Sequence, residues 1–541
     1  MPRRYLPVSL MPLAALMIGV AASAAGASEP GAEALEPPAA SGAAFAPKDL
    51  EPAAGLPLAP EFAERLAPEP KLASDDRADR AALARFYARR GSAPLWTSAT
   101  GVTEKAAAIQ AEIATADAWG LEPSAFQLPQ PPTGRPLSSV ERAEVETRLS
   151  IAILKYARYA RGGRAQPTAL SPNLDRTLRP FDPARIMDEI AAAADPAEYL
   201  RRLHPAHRPF AALRQKYLEL KGRAVVGASS MHATAGDGAE RAGAHGAEEA
   251  TIRRLLLNME AWRWMPEDLG DFYVWVNVPE FTLRVVKRGE VIHTARVVVG
   301  KPDKQTPIFS EAVQQVIFHP YWGVPESIKI NDILPSLARG STRILERYNL
   351  RLQRGGRDID PSTIDWSSVD VRSVHVYQPP GGANLLGVVK FRFPNKHDVY
   401  MHDTPDKHLF KASVRAFSHG CMRVSEAEKL AELLLAEDQG WPAARVAAAI
   451  NGGPPNNQVT LQRSIPVHIT YFTAAVDEEG KLTTFPDIYG HEPRIALGLA
   501  GKAQLIPRPI EDKAARTAEI IGALSDAGRV KKDWVKRAFG N

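Results

Sequence analysis

The apolar positions of this chain change their spacing several times, and each change marks a segment of different character. Behind Arg3 and Arg4, residues 6–20 are mostly apolar and are followed by small residues, Ala22-Ser23-Ala24 and Ala25-Gly26-Ala27. A basic start, a short apolar run and a small-residue cleavage site predict an export signal over 1–27. Pro7 and Pro12 interrupt the run, which is short for a bilayer-spanning helix, so no stable membrane span is expected after cleavage. Residues 28–72 are rich in Pro and Ala without hydrophobic period and predict an extended tether.

From 73 to 222 the period is helical. Asp75 or Asp76 is placed to cap a helix that carries Leu83, Phe86 and Tyr87 on one face and stops at Gly91. Ser138 and Glu141 make a capping box ahead of Leu149, Ile153, Tyr156 and Ala160. Asp182-Pro183 and Asp195-Pro196 each set a capping carboxylate before a proline at the first helical position. A helical domain results, with Trp96 and Trp119 assigned to its core. Residues 223–250 are dominated by Ala, Gly and Ser, offer little apolar surface to offset ordering entropy, and predict a flexible linker.

A short amphipathic helix then leads through Trp262 and Trp264 into alternating patterns. Phe272 to Val278, Phe281 to Lys287, Val291 to Val299, Gln314 to Phe318, Val371 to Tyr377, Val388 to Phe393 and Pro466 to Phe472 read as strands. They predict a mostly antiparallel β-sandwich or partly open barrel over 251–494, interrupted at 326–370 by a helical, polar insertion suited to a lid. The fold class is therefore α+β, with a basic helical extension over 495–541.

Charge narrows the function. The formal net charge is +5, and removal of Arg3 and Arg4 with the signal lowers it by two. Signs are mixed until Lys531, Lys532, Lys536 and Arg537, so no nucleic-acid partner is expected. No cofactor is implied either. His402, His408, His419 and Cys421 are ligand types without a paired short-spaced set, and no metal is expected.

Cys421 is the only cysteine, and exported proteins ordinarily pair their cysteines or dispense with them, so a lone one flanked by His419, Gly420 and Arg423 points to a nucleophile. The pattern places Cys421 near the start of a helix bearing Leu430, Leu433 and Leu434, where unpaired N–H groups favour thiolate. His402, at the end of a strand, is the candidate base. Gly420 permits a tight turn.

His402, then Ser418-His419-Gly420-Cys421 and Arg423, resemble the signature of the L,D-transpeptidases, which remodel bacterial peptidoglycan. Asn258-Met259-Glu260, Trp262-Arg263-Trp264, Val299-Gly300-Lys301-Pro302, Pro320-Tyr321-Trp322 and His402-Asp403-Thr404-Pro405 resemble the large periplasmic subclass, with its helical scaffold domain and inserted lid. The resemblance spans about Ala73 to Glu492 and implies a periplasmic enzyme. Cys421 would attack the bond between the diamino acid and the terminal D-alanine of a tetrapeptide stem and pass the acyl group to a second diamino acid, forming a 3→3 cross-link. Backbone N–H groups around Gly420 and Cys421 would hold the oxyanion, and the Asp403 carbonyl would orient His402. His419 either supports the pocket or handles protons; Arg423 either binds a stem carboxylate or ties the loop down. Ser418 shapes the loop at the substrate; Asp403 is placed at the substrate, and Tyr400, His408 and Trp322 either line the groove or pack in core and loop. Carbapenem sensitivity is also implied, with stem peptides and wall-synthesis enzymes as partners. One departure stands out: the 223–250 linker occupies the place of a peptidoglycan-binding module. A carboxypeptidase or exchange enzyme sharing the acyl-enzyme, and an idle wall-binding scaffold, are the alternatives.

Overall fold

A computed structural model describes residues 58, 61–67, 69–230, 238–366, 369 and 371–507. The expected signal, most of the expected tether and the basic cluster at 531–537 lie outside the described residues; the end of the tether is not extended, because Glu61–Arg65 is helical and Leu58, Phe62 and Leu66 bury in the core of the helical body.

The N-terminal body is helical, with principal helices Ser74–Arg89, Glu104–Ala114, Ser139–Gly162, Pro183–Ala192 and Pro196–Arg202. Leu83, Phe86, Tyr87, Trp96, Leu149, Ile153, Tyr156 and Ala160 bury together in one cluster. The caps expected at Ser138, Asp182 and Asp195 are formed: Ser138 and Glu141 exchange bonds, and the two aspartates accept from backbone N–H groups of the following turn. The first helix differs. Its N-cap is Ala73 without a side-chain bond, and Asp75 and Asp76 lie inside the first turn, where carboxylates favour the positive end of the helix dipole.

The stretch expected to be a linker is largely helical. One helix runs Arg208–Ser230 and the next Gly238–Arg263, with 231–237 outside the described residues. Alanine has the highest helix propensity of any residue, so Ala-rich sequence continues the flanking helices instead of ending them. The two helices meet through Phe210, Leu213 and Tyr217 against Leu255, Met259 and Trp262, in a cluster that also takes in Phe472 and Ala474. Trp262 stacks on Phe472 with centroids 4.4 Å apart. The helical and β-rich parts are thereby joined.

The β-rich part is one mixed sheet: β1 (Phe272–Asn277), β2 (Thr282–Lys287), β3 (Glu290–Gly300), β4 (Ser310–Phe318), β5 (Val389–Arg392), β6 (Met401–His402), β7 (Ala416–Ser418), β8 (Met422–Val424) and β9 (Asn457–Thr470). The order is β7-β3-β8-β6-β5-β4-β9-β1-β2, and β2 pairs again with β3, so the sheet closes on itself. Most pairs are antiparallel; β1–β9, β6–β8 and β7–β3 are parallel. The enclosed core includes Val276, Val285, Val297, Val316, Phe391, Met401, Met422 and Ile469, covered by Leu430 and Leu434 of helix Ala427–Gln439. The core also holds Ile495 and Ile506, so the catalytic body extends past the expected boundary at 494.

The insertion contains short helices but also strands. Trp322–Gly323, His375–Gln378, Arg351–Arg354 and Arg357–Asp358 form a separate four-stranded sheet. Of the expected strand from Val371 to Tyr377, only the portion from His375 is extended, and it belongs to this small sheet. Ile330, Ile333, Leu337, Leu345, Leu352 and Trp366 build the insertion its own core.

A segment after helix Ser139–Gly162 straps the helical body to the sheet. Ile308 N–H donates to the Asn173 carbonyl at 2.7 Å, the buried Arg176 side chain bonds Ser310 and the Ile469 carbonyl, and Asp175 pairs with Lys396 and His397, each at 2.8 Å.

Candidate active site

Three neighbouring strands bring the expected residues to one face. In β6, His402 lies opposite Lys390 of β5 and opposite Arg423 of β8. Met401, Phe391 and Met422 sit fully buried in the core, so strand alternation turns Lys390, His402 and Arg423 to the other face. Tyr400 and Cys421, one residue before β6 and β8, continue that alternation, and Lys390 Nζ stands 3.7 Å from the Tyr400 ring centroid. The spacing from His402 to Cys421 has a structural cause. Adjacent parallel strands need a crossover of a dozen or more residues, and 403–421 supply it.

Cys421 does not sit at a helix start. It precedes a strand, and the helix begins only at Ala427. The expected dipole effect is therefore missing, and burial pushes the thiol up to about 11, against hydrogen bonds from Tyr400 and the charge of Lys390, which pull it down. The thiol lies 3.9 Å from the Asp398 carbonyl oxygen, an acceptor for S–H.

His402 is buried, and its Nδ1 lies 2.5 Å from the Asp403 carbonyl oxygen. A carbonyl only accepts, so Nδ1 carries the proton and Nε2 is the basic nitrogen. Burial and the Arg423 charge hold the ring at about 3, although the carbonyl bond raises it. The resting pair is thus a neutral thiol and a neutral imidazole.

The other expected residues divide by what they touch. Ser418 Oγ donates to the Cys421 carbonyl at 2.5 Å and accepts Gly420 N–H at 3.1 Å, so it shapes the loop. Gly420 has φ +117°, a conformation side-chain-bearing residues rarely adopt. The Asp403 carboxylate accepts Val388 N–H at 3.0 Å and binds Lys407, which makes it an anchor of the His402 turn and not a groove wall. Trp322 is buried in the core of the insertion, against which Tyr400 packs. His419 is half-exposed and faces Asp332 of the insertion, Nε2 to Oδ2 3.6 Å, while Arg423 Nη1 stands 3.7 Å from Asp406 Oδ2. Sequence reasoning missed Lys390. Its alternation with Val389 and Phe391 marks it as facing away from the core, but only the register of β5 on β6 shows that it faces Tyr400. Among the described residues no group of His, Cys, Asp or Glu is arranged to hold a metal ion, and no helix is long and apolar enough to cross a membrane.

Residues 271–450 match the model of the L,D-transpeptidase catalytic domain, and residues 81–216 match that of a scaffold domain. The chain carries an L,D-transpeptidase catalytic domain. A curated Haemophilus influenzae protein named "Putative L,D-transpeptidase" is 31% identical over 252 residues, 46% of this chain and 50% of that protein. The chain thus spans about half the length of this curated relative. Two solved structures, an L,D-transpeptidase from Mycobacterium smegmatis and LD transpeptidase LdtMt1 in complex with imipenem, are 14% and 16% identical. Each covers 37% of this chain, with 58% and 59% of its own length covered, at a TM-score of 0.18. The L,D-transpeptidase domain match ends at 450, before β9 (Asn457–Thr470), which lies between β4 and β1 in the sheet.

Proposed function

We propose that this protein is a periplasmic peptidoglycan L,D-transpeptidase that uses Cys421 as nucleophile and His402 as base. The observation that carries the reading is the common face of β5, β6 and β8, which takes both Cys421 and His402, the latter with its Nδ1 committed to the Asp403 carbonyl. With the thiol held near 11, sulfur becomes nucleophilic as its proton passes to His402 Nε2 during attack. Sulfur bonds to the carbonyl carbon between the diamino acid and D-alanine, and the carbonyl oxygen takes the electron pair. When the double bond re-forms, the C–N bond breaks and D-alanine leaves with the proton from His402. The side-chain amine of a second diamino acid then attacks the thioester, gives its proton to His402, and expels the thiolate, which is reprotonated. The product is a 3→3 cross-link. Stem peptides are the substrates, wall-synthesis enzymes are further partners, and a carbapenem carbonyl would be trapped on the same sulfur.

The test is incubation with defined tetrapeptide muropeptides followed by mass spectrometry. Released D-alanine with dimer supports transpeptidation; tripeptide without dimer replaces it with carboxypeptidase action; neither product rejects the enzyme reading. Cys421→Ala and His402→Ala should each abolish product while thermal unfolding stays nearly unchanged.

A further inference from the structure

Beneath the Ser418–Cys421 run lies a closed ring of buried hydrogen bonds. Thr306 is fully buried, and its hydroxyl donates to the Gly420 carbonyl at 2.8 Å while accepting Gly300 N–H at 2.9 Å. Thr306 N–H donates to the Tyr489 hydroxyl at 3.1 Å, which donates onward to the Gly300 carbonyl at 2.7 Å. The Tyr471 hydroxyl accepts Tyr489 N–H at 2.7 Å and donates to Asp487 at 2.6 Å. The turn from Gly300 to Thr306 is tight: a Cβ at Gly300 would run into the Lys304 carbonyl. The Thr306 hydroxyl therefore has little freedom to move away from Gly420.

Peptide geometry converts this into a statement about Cys421. In a trans peptide the carbonyl of one residue and the N–H of the next point in opposite directions. With the Gly420 carbonyl held on Thr306, the Cys421 N–H is aimed away from Thr306. Glycine at φ +117° resists rotation of this plane weakly, so the orientation needs an anchor. Ser418 already occupies Gly420 N–H, and the Tyr400 carbonyl occupies Met422 N–H at 3.0 Å. Among the described residues no hydrogen bond engages Cys421 N–H.

We propose that Thr306 is a positioning residue, which fixes the Gly420–Cys421 peptide so that Cys421 N–H receives the oxyanion formed when the Cys421 sulfur attacks a carbonyl. This rests on the acyl-transfer reading above and adds the group that orients its oxyanion donor. Gly420 N–H, expected from sequence to share that task, is bound to Ser418 instead.

Two reactions of the full chain separate this role from a structural one. Acylation by a carbapenem builds an oxyanion; alkylation by iodoacetamide consumes the same thiol without one. Thr306→Val should slow acylation about 10²-fold or more, the size of effect for losing one oxyanion donor, and leave alkylation within about threefold. Thr306→Ser keeps the hydroxyl and should restore acylation to within about tenfold of wild type. Tyr489→Phe, which frees Thr306 from one side, should slow acylation and spare alkylation, and it carries the test if Thr306→Val fails to fold. Unchanged acylation, equal slowing of both reactions, or a serine variant no better than valine overturns the proposal. Wild-type chain that alkylates but is acylated by neither carbapenem nor tetrapeptide refutes the transpeptidase reading as well, whereas wild-type acylation with an indifferent Thr306→Val refutes this proposal alone.

Discussion

Cys421 and His402 illustrate how burial sets chemistry at single residues. Both are held in their neutral forms, the thiol at about 11 and the ring at about 3, so the free protein stores no thiolate–imidazolium pair. Iodoacetamide labelling of Cys421 should therefore keep accelerating from pH 7 toward 11 and show no step near 6.5, the ordinary histidine value. A plateau below pH 8 would mean a preformed thiolate. Lys390 is one of the charges that pull the thiol down, so Lys390→Met should move the labelling curve to higher pH, while Lys390→Arg should leave it nearly in place. Identical curves for wild type and Lys390→Met would remove the lysine from the site.

At the scale of elements, the helix pair Arg208–Ser230 and Gly238–Arg263 decides how the scaffold meets the catalytic part. Its apolar contacts and the strap at 173–176 cross between the two parts, so chain continuity is not what holds them together. A protease site engineered into 231–237 should allow clean cleavage after which the two fragments still co-elute on size exclusion and retain thiol reactivity. Separation of the fragments would restore the linker description. The strap itself should be sensitive. Arg176→Met removes the donor to the buried Ile469 carbonyl, while Ser310 keeps its bond to His468, and should cost about 1–3 kcal/mol, read as a lowered denaturant midpoint.

Over the whole molecule, several histidines are buried in their neutral forms. His402 and His491 are held at about 3 and His468 at about 4, in each case chiefly by burial, and His204 lies well below its ordinary value for the same reason. The unfolded chain binds protons at these positions near pH 6.5 and the folded chain does not, so stability rises with pH through this window. It is complete above 6.5 and is lost as pH falls toward 3–4. His402, His468 and His491 should each remove about 2 kcal/mol between pH 7 and pH 5. His491 is the sharpest case, because it is fully buried and neither ring nitrogen has a hydrogen-bond partner. Thermal melts of His491→Leu should show a smaller drop in Tm from pH 7 to pH 5 than wild type; an equal drop would mean that its burial does not govern the acid response.

Local chemistry was legible wherever neighbours in the chain determine it. The capping box at Ser138, the Asp-Pro starts at 182 and 195, the apolar faces around Leu83 and Leu149, and strands β1 to β5 all follow from contacts within a few residues, and sequence shows those. The Ser418–Arg423 run and the preceding His402 are likewise legible as residue types in a local pattern. What sequence could not show depends on which distant segments pair. Cys421 leads a strand and not a helix because β8 adds to β6, and that pairing puts Tyr400 and Lys390 at the thiol and His402 on the same face. The linker reading did not weigh that alanine, counted there as a poor core former, is also the strongest helix former and extends the flanking helices. Thr306 and Tyr489, 183 residues apart and ordinary in sequence, meet beside Gly300, with Thr306 reaching on to Gly420, only because the closed sheet folds both ends of the catalytic part onto one turn. Residue types and local period thus determined which side chains this protein could use, and long-range pairing in the closed sheet decided where each proton and each N–H points.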